Sequence, residues 1–213
     1  MIAIVDYKAG NLTSVELAFR AIGREARATY DPALILDAER VVFPGVGAAG
    51  SAMRHLADFG LLSAIKEAAA RGTPFLGICL GTQILLEHSA EDGGVETLGI
   101  IRGRTQKFSP ADPWQKVPQI GWNRISIQKP HPLLDGIEDN SEFYFVHSYY
   151  PVPADHADVI CATDYAGVAF ASMLGRGNVA ATQFHPEKSG RIGLRLLDNF
   201  TRWNPGRSLA ANG

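Results

Sequence analysis

Phe75-Leu76-Gly77-Ile78-Cys79-Leu80-Gly81-Thr82-Gln83 sets a lone cysteine between two glycines, behind an apolar run and ahead of the helix-compatible Ile84-Leu85-Leu86. A buried-looking strand that turns sharply into a helix at a nucleophilic residue is a nucleophile elbow. Such a turn needs small residues two places before and two places after its centre, because its strained backbone brings both flanks against neighbouring chain. Gly77 and Gly81 hold those places. The turn lifts the Cys79 thiol out of the sheet and across the helix N-terminus, whose positive dipole end favours thiolate.

The elbow is one strand-helix unit, and the residues before it repeat the unit. Short apolar runs at Ile2-Ala3-Ile4-Val5, Arg27-Ala28-Thr29 and Arg40-Val41-Val42-Phe43 alternate with helical patterns at Leu12 to Ile22, Ala52 to Phe59 and Leu61 to Arg71. This βαβ grammar predicts an α/β fold: a mostly parallel open sheet with helices on both faces. Reactive groups then belong at the carboxyl ends of the strands, where Pro44, Cys79 and His185 each follow an apolar run. From Gly99 to Thr163, short strand-like runs and turn residues outweigh helical periodicity, which predicts additional antiparallel strands within the same domain. Gly190 to Trp203 reads as an amphipathic helix with Ile192, Leu196, Leu197 and Phe200 turned to the sheet. The expected organisation is a single domain over residues 1–203 and a tail from 204 to 213, with Glu91-Asp92-Gly93-Gly94 an ordinary surface loop.

A thiol nucleophile needs a base, and the base needs an orienting group. Val179-Ala180-Ala181-Thr182-Gln183-Phe184 reads as a strand running into His185-Pro186-Glu187. Proline fixes its own φ and biases His185 toward extended backbone, so His185 and Glu187 can point the same way with little freedom to lose. His185 would exchange a proton with Cys79, and Glu187 would hold the imidazole. The backbone N–H of Leu80, directly after the nucleophile, is the expected oxyanion donor. A second donor is expected from another strand-end loop, and Pro44-Gly45-Val46-Gly47 is the candidate.

The 213 residues are 46% hydrophobic, enough for one well-cored α/β domain. A net charge of −2 gives no overall basic excess, so nucleic acid is not an expected partner. The two cysteines, Cys79 and Cys161, imply no disulfide framework; Cys161 reads as a core strand residue. No membrane-spanning run or secretory leader is visible, and a free thiol suits a reducing compartment, so the expectation is cytoplasmic. His55, His88, His131 and His156 occupy polar or turn contexts and are expected to be solvated, and His147 has no motif that marks it as a base. No spacing of His, Cys, Asp or Glu suggests a metal site, and no cofactor is implied.

Gly77-Ile78-Cys79-Leu80-Gly81-Thr82-Gln83 together with His185-Pro186-Glu187 resembles the class I (triad) glutamine amidotransferases, over essentially the whole chain. The resemblance implies hydrolysis of the side-chain amide of L-glutamine and transfer of the ammonia to a synthase. It assigns Gln83, Ser148 and Tyr149 to the substrate and lets the Gly45-Val46 peptide flip, so that Val46, with Gly47, completes the oxyanion hole opposite Leu80. Pro44-Gly45-Val46-Gly47, Val117-Pro118-Gln119-Ile120-Gly121-Trp122-Asn123 and Phe145-Val146-His147-Ser148-Tyr149 are similar to the branch that serves imidazole glycerol phosphate formation in histidine biosynthesis. That branch implies a heterodimer with a (β/α)₈-barrel cyclase subunit, with Trp122 and Asn123 at or near the interface. Gln119 stands where that branch commonly has histidine, so no role of an imidazole carries over. The elbow alone does not separate this branch from glutaminase subunits of anthranilate or aminodeoxychorismate synthesis. A stand-alone cysteine hydrolase, acting without a partner, is the alternative from another class.

Overall fold

The computed structural model describes residues 1–8, 12–112 and 114–206. In chain order its first half contains β1 (Ile2–Val5), α1 (Leu12–Ala21), β2 (Ala26–Thr29), α2 (Pro32–Leu36), β3 (Arg40–Gly45), α3 (Ala49–Asp58), α4 (Leu61–Ala70), β4 (Phe75–Cys79) and α5 (Leu80–Ile84). Short strands follow: β5 (His88–Ser89), β6 (Val95–Glu96), β7 (Gly103–Lys107), β8 (Gln119–Arg124) and β9 (Ser126–Ile127). The chain continues through β10 (Glu142–His147), β11 (Tyr149–Pro153), β12 (Val159–Tyr165), β13 (Val168–Arg176), β14 (Val179–Thr182) and α6 (Gly190–Arg202).

Eight strands form the main sheet in the order β2-β1-β3-β4-β14-β13-β12-β9. The run from β2 to β14 is parallel, and β13, β12 and β9 continue it antiparallel. Alternation along each parallel strand divides the core between two faces. Ile2, Ile4, Val42, Leu76, Ile78 and Ala180 pack with Val15 and Phe19 of α1 and Leu196, Leu197 and Phe200 of α6. Ala3, Val5, Val41, Phe43, Phe75 and Ala181 face the other way, against Ile35, Leu56, Leu61 and Ile65 of α2, α3 and α4. Helices therefore cover both faces, as the alternating runs predict. Ile192 of α6 is only partly buried, while Leu196, Leu197 and Phe200 are fully so.

The middle of the chain departs from the simplest expectation. Only β9 and β12 of that region extend the main sheet; β8 pairs β10 as a separate two-stranded ribbon, and β11-β7-β5-β6 form a small third sheet. β8 and β10, and β7 and β11, are far apart in sequence, so local periodicity does not announce their pairing. The strand before His185 also stops early, at Thr182. Its carbonyl accepts the Thr82 hydroxyl at 2.6 Å and its own hydroxyl donates to the Phe184 carbonyl at 3.0 Å, which turns the chain out of the parallel ladder. The expected tail lies outside the described residues from 207 onward, and Trp203 is buried.

The glycines of the elbow are required by close approach. A Cβ on Gly81 would lie 1.8 Å from the Phe43 carbonyl oxygen, and one on Gly77 would meet Leu85 Cδ1 at 2.7 Å and Ala181 Cβ at 3.1 Å. The obstacle at Gly81 is backbone of a central strand, which cannot step aside as a side chain can. Gly81→Ala is therefore expected to lower unfolding free energy by more than about 3 kcal/mol. A denaturant titration checks this, and a midpoint equal to wild type would contradict the close approach.

Candidate active site

Three consecutive strands of the main sheet bring the sequence-predicted groups together. Gly45 at the end of β3 is in register with Cys79 at the end of β4, and Ile78 is in register with Thr182 of β14, from which the chain runs on to His185. Cys79 has φ 54 and ψ −108, a backbone conformation that a non-glycine residue holds only when its surroundings impose it. Gly77 and Gly81 let those surroundings close in. The Sγ lies 3.7 Å from Gln183 Nε2, which can donate to it, and 3.9 Å from the Val146 carbonyl.

The His-Pro-Glu tripeptide is held from several sides. Pro186 opens a single 3₁₀ turn, Pro186–Lys188, that brings His185 Nδ1 to 2.7 Å from Glu187 Oε1, both side chains being 2% exposed. The His185 N–H donates to the Tyr144 carbonyl at 2.9 Å, and the Ser189 hydroxyl donates to the His185 carbonyl at 2.6 Å. With Nδ1 committed to the carboxylate, Nε2 is the nitrogen left for the thiol, and it has no hydrogen-bond partner among the described residues. Burial alone would lower the imidazole pKa. The charge at Cys79 and the hydrogen bond and charge of Glu187 outweigh it and raise the value from 6.5 to about 10. The arrangement thus favours the imidazolium form of His185.

A cavity of about 310 Å³ opens over this group. Cys79, Leu80, Val46, Gly47, Gln83, Ser148, Tyr149 and His185 all line it, and Glu187 stands behind His185 outside the lining. A larger cavity of about 670 Å³ lies away from the thiol, between the Lys129–Gly136 segment and α6. Its size does not make it the reactive site, because no nucleophile lines it. Gln83 reaches the cavity with its amide nitrogen already engaged, donating to the Tyr149 carbonyl at 2.8 Å and to Gln183 Oε1 at 3.0 Å. Its carbonyl oxygen is the group it can offer a ligand. Trp122 and Asn123 are outside the cavity, on β8; Trp122 is 56% exposed and stacks edge-on with Tyr144, whose carbonyl holds His185.

Several site residues escape the sequence reading. Glu91, taken as part of an ordinary surface loop, lines the cavity, and its Oε2 accepts the Ala49 N–H at the start of α3 at 2.6 Å. Burial, together with Asp92, raises its pKa despite that hydrogen bond. No local motif marks Glu91; its position follows from long-range docking of the 91–94 turn on α3. Gln183, two residues before His185, reaches the thiol and the Gln83 amide, a consequence of the chain leaving the ladder at Thr182. His147 is 6% exposed, with Nδ1 2.8 Å from the Tyr149 carbonyl and its ring among Phe108, Phe145 and Phe170. Burial is the main cause that lowers its pKa to about 4, so it is a neutral tether for the 147–149 turn. Gln119 faces it across the β8–β10 pair, also buried.

His131 corrects another expectation: it is part-buried, its Nδ1 accepts the Leu133 N–H at 3.2 Å, and its ring stacks on Trp203. Burial first, and the Lys129 charge second, lower its pKa to about 4. His55 and His88 are likewise half-buried, and His156 is exposed as expected. Cys161 is fully buried in β12, and burial pushes its thiol up to about 12. Among the described residues no group of three or more His, Cys, Asp or Glu could hold a metal ion, and no helix is long and apolar enough to cross a membrane.

The family model for class-I glutamine amidotransferases matches residues 4–203. Imidazole glycerol phosphate synthase subunit HisH of Methylococcus capsulatus is 50% identical over 212 residues, covering 96% of this chain and 97% of the relative. The HisH subunit of Desulfovibrio desulfuricans is 51% identical over 208 residues, covering 94% and 93% respectively. Among solved structures, PurLQS from Thermotoga maritima superposes with a TM-score of 0.72 at 20% identity, covering 94% of this chain and 97% of that one. A structure described as a glutamine amidotransferase gives 0.71 at 16% identity, covering 97% and 100%. At these identities the structures speak for the fold, and the sequence relatives and the family model carry the assignment further. The chain thus belongs to the class-I glutamine amidotransferases.

Proposed function

We propose that this chain is the glutaminase subunit of an imidazole glycerol phosphate synthase, a cytoplasmic enzyme of histidine biosynthesis built on a single glutaminase domain. It hydrolyses glutamine to glutamate and ammonia and delivers the ammonia to a cyclase subunit bound as a heterodimer. The observation that carries the chemistry is Cys79 on a strained elbow beside His185, itself 2.7 Å from buried Glu187, at the floor of a cavity. The relatives named for this synthase, about half identical over nearly their full length, support the pathway.

In this reading the Cys79 thiolate attacks the γ-carbonyl of glutamine and forms a carbon–sulfur bond, and the carbonyl oxygen takes the negative charge. The Leu80 N–H is the first donor to that oxyanion, and the peptide N–H groups of Val46 and Gly47 are the candidates for the second. His185 gives its proton to the amide nitrogen as the carbon–nitrogen bond breaks, and ammonia leaves. A water then gives its proton to His185 and attacks the thioester, releasing glutamate and restoring the thiolate. At the other end of the substrate, Glu91 supplies a carboxylate for the α-ammonium, and the Gln83 carbonyl oxygen is a second acceptor there. The Ser148 hydroxyl is available to the α-carboxylate.

A partner-dependent role is favoured over a stand-alone hydrolase by the rim of the site. Ile120 and Trp122, two residues apart on one face of β8, are 64% and 56% exposed, and Val46 at the cavity mouth is 38% exposed. Large apolar groups gathered beside an active site mark a seat for another protein. Trp122 and Asn123 then lie at that seat, although the Asn123 amide also donates to the Asp164 carbonyl at 3.0 Å. The test is glutamate release from glutamine by the purified chain, alone and with the cyclase subunit carrying its ribonucleotide substrate. Stimulation of about 10²-fold or more is expected, the scale of a single oxyanion donor. Full activity of the chain alone, unchanged by the cyclase, would overturn the partner assignment.

A further inference from the structure

Tyr7, at the carboxyl end of β1, is 1% exposed, and its hydroxyl has no hydrogen-bond partner among the described residues. A buried hydroxyl without a partner costs about 1–3 kcal/mol, so a phenylalanine would serve a purely packing role better. The ring is fixed against Phe43 of β3, with centroids 5.6 Å apart. The hydroxyl is aimed at the end of β3: a Cβ built on Gly45 would lie 2.0 Å from it, 3.1 Å from Leu80 Cβ and 3.3 Å from the Gly81 nitrogen. Only glycine leaves room there. Tyr7, the backbone of Gly45 and the start of the elbow helix therefore meet at one point beneath the cavity.

Gly45 and Gly47 flank Val46, and Gly47 has φ +96. With no Cβ on Gly45, the peptide that joins it to Val46 can reorient at low steric cost on that side. We propose that the Tyr7 hydroxyl is a positioning group for the oxyanion hole: it receives the Gly45 carbonyl when the Gly45-Val46 peptide turns, and so holds the Val46 N–H toward the oxygen on the substrate carbon attacked by Cys79. The two ends of one peptide plane point in opposite directions, so a carbonyl drawn down to Tyr7 directs the following N–H up to the cavity. Burial, and then the nearby Cys79 charge, raise the phenol well above its ordinary value, so the group stays a donor throughout. The hydroxyl unpaired in the resting chain is thereby paired in the active one. Its desolvation cost is carried by the resting state and relieved on activation.

This inference rests on the glutaminase reading and adds a residue to it. The test is Tyr7→Phe in the heterodimer with the cyclase subunit and its ribonucleotide, with glutamate release measured over a range of glutamine concentrations. The Tm of the isolated variant chain is measured beside it. The expected result is a kcat lower by tenfold or more, a KM for glutamine within twofold of wild type, and a Tm equal to or above wild type. A kcat within twofold of wild type would overturn the role. So would a kcat loss accompanied by a lower Tm and a raised KM, since that is the behaviour of a packing residue. If the wild-type heterodimer itself releases no glutamate, the glutaminase reading falls and takes this role with it; a fully active wild type with an equally active variant removes the Tyr7 role alone.

Discussion

Cys79→Ala is expected to reduce glutamine hydrolysis by about 10⁴-fold or more, because no other group over the cavity can form the thioester. Cys161, the other thiol, is sealed inside β12 with its pKa raised to about 12 and cannot substitute. The change removes one sulfur from a residue whose backbone is held by the β3–β4 pairing and by the packing around Gly77 and Gly81, so the fold should persist. Two assays on the heterodimer separate the chemistry from the assembly. With glutamine as nitrogen source, product formation should vanish. With a high concentration of ammonium salt, which supplies ammonia directly to the cyclase, it should remain. Loss of both activities would mean that Cys79 supports structure or partner binding, and survival of the first would remove it as nucleophile.

Glu187→Gln is the second large effect, expected at about 10²–10⁴-fold in kcat. The carboxylate lies 2.7 Å from His185 Nδ1 and is as buried as the ring it faces. It is one of the groups that, against the opposing effect of burial, hold His185 at about 10 rather than 6.5. A neutral amide keeps the shape and discards the charge, so the imidazolium needed to protonate departing ammonia becomes less available near neutral pH. The sign for stability follows from the raised pKa. A proton bound more tightly in the folded state stabilises the fold fully below pH 6.5, and that stabilisation is lost as pH rises through about 10. The variant should therefore lose stability mainly below the folded pKa and show a flatter decline between those limits. Denaturant midpoints measured from pH 6 to 10 check this; an unaltered slope would mean that Glu187 does not act on the titration of His185.

The half of the fold that carries the nucleophile was legible because its elements are local and periodic. β1, β3 and β4 alternate side chains between two faces, α1, α3 and α4 are amphipathic, and each strand meets its helix within a few residues. The elbow and His185-Pro186-Glu187 were legible for a different reason, since strain and rigidity require particular residue types, glycine and proline, at fixed offsets. What stayed hidden depends on distant parts of the chain. β5 and β6 are two residues each, too short for any period to show. Glu91 belongs to the site only because it docks on Ala49, and Gln183 only because Thr82 draws the Thr182 carbonyl out of the ladder. His131 reads as solvated in sequence, and Trp203 from far along the chain packs on its ring.

The nucleophile, its base and the glycine loop all hang from the ends of the adjacent strands β4, β14 and β3, whereas the exposed Ile120 and Trp122 ride on the separate β8–β10 ribbon. Spacing within the sheet, about 4.8 Å between neighbouring strands, sets the reach between the strand ends that carry Cys79 and His185. The address is thus written on the outward residues of a ribbon whose other strand, β10, also holds His185 through the Tyr144 carbonyl. The ribbon can change its outward residues to suit another synthase while the sheet keeps the same reaction, and an engineer who wished to redirect the ammonia would rewrite the ribbon and leave the strand ends alone.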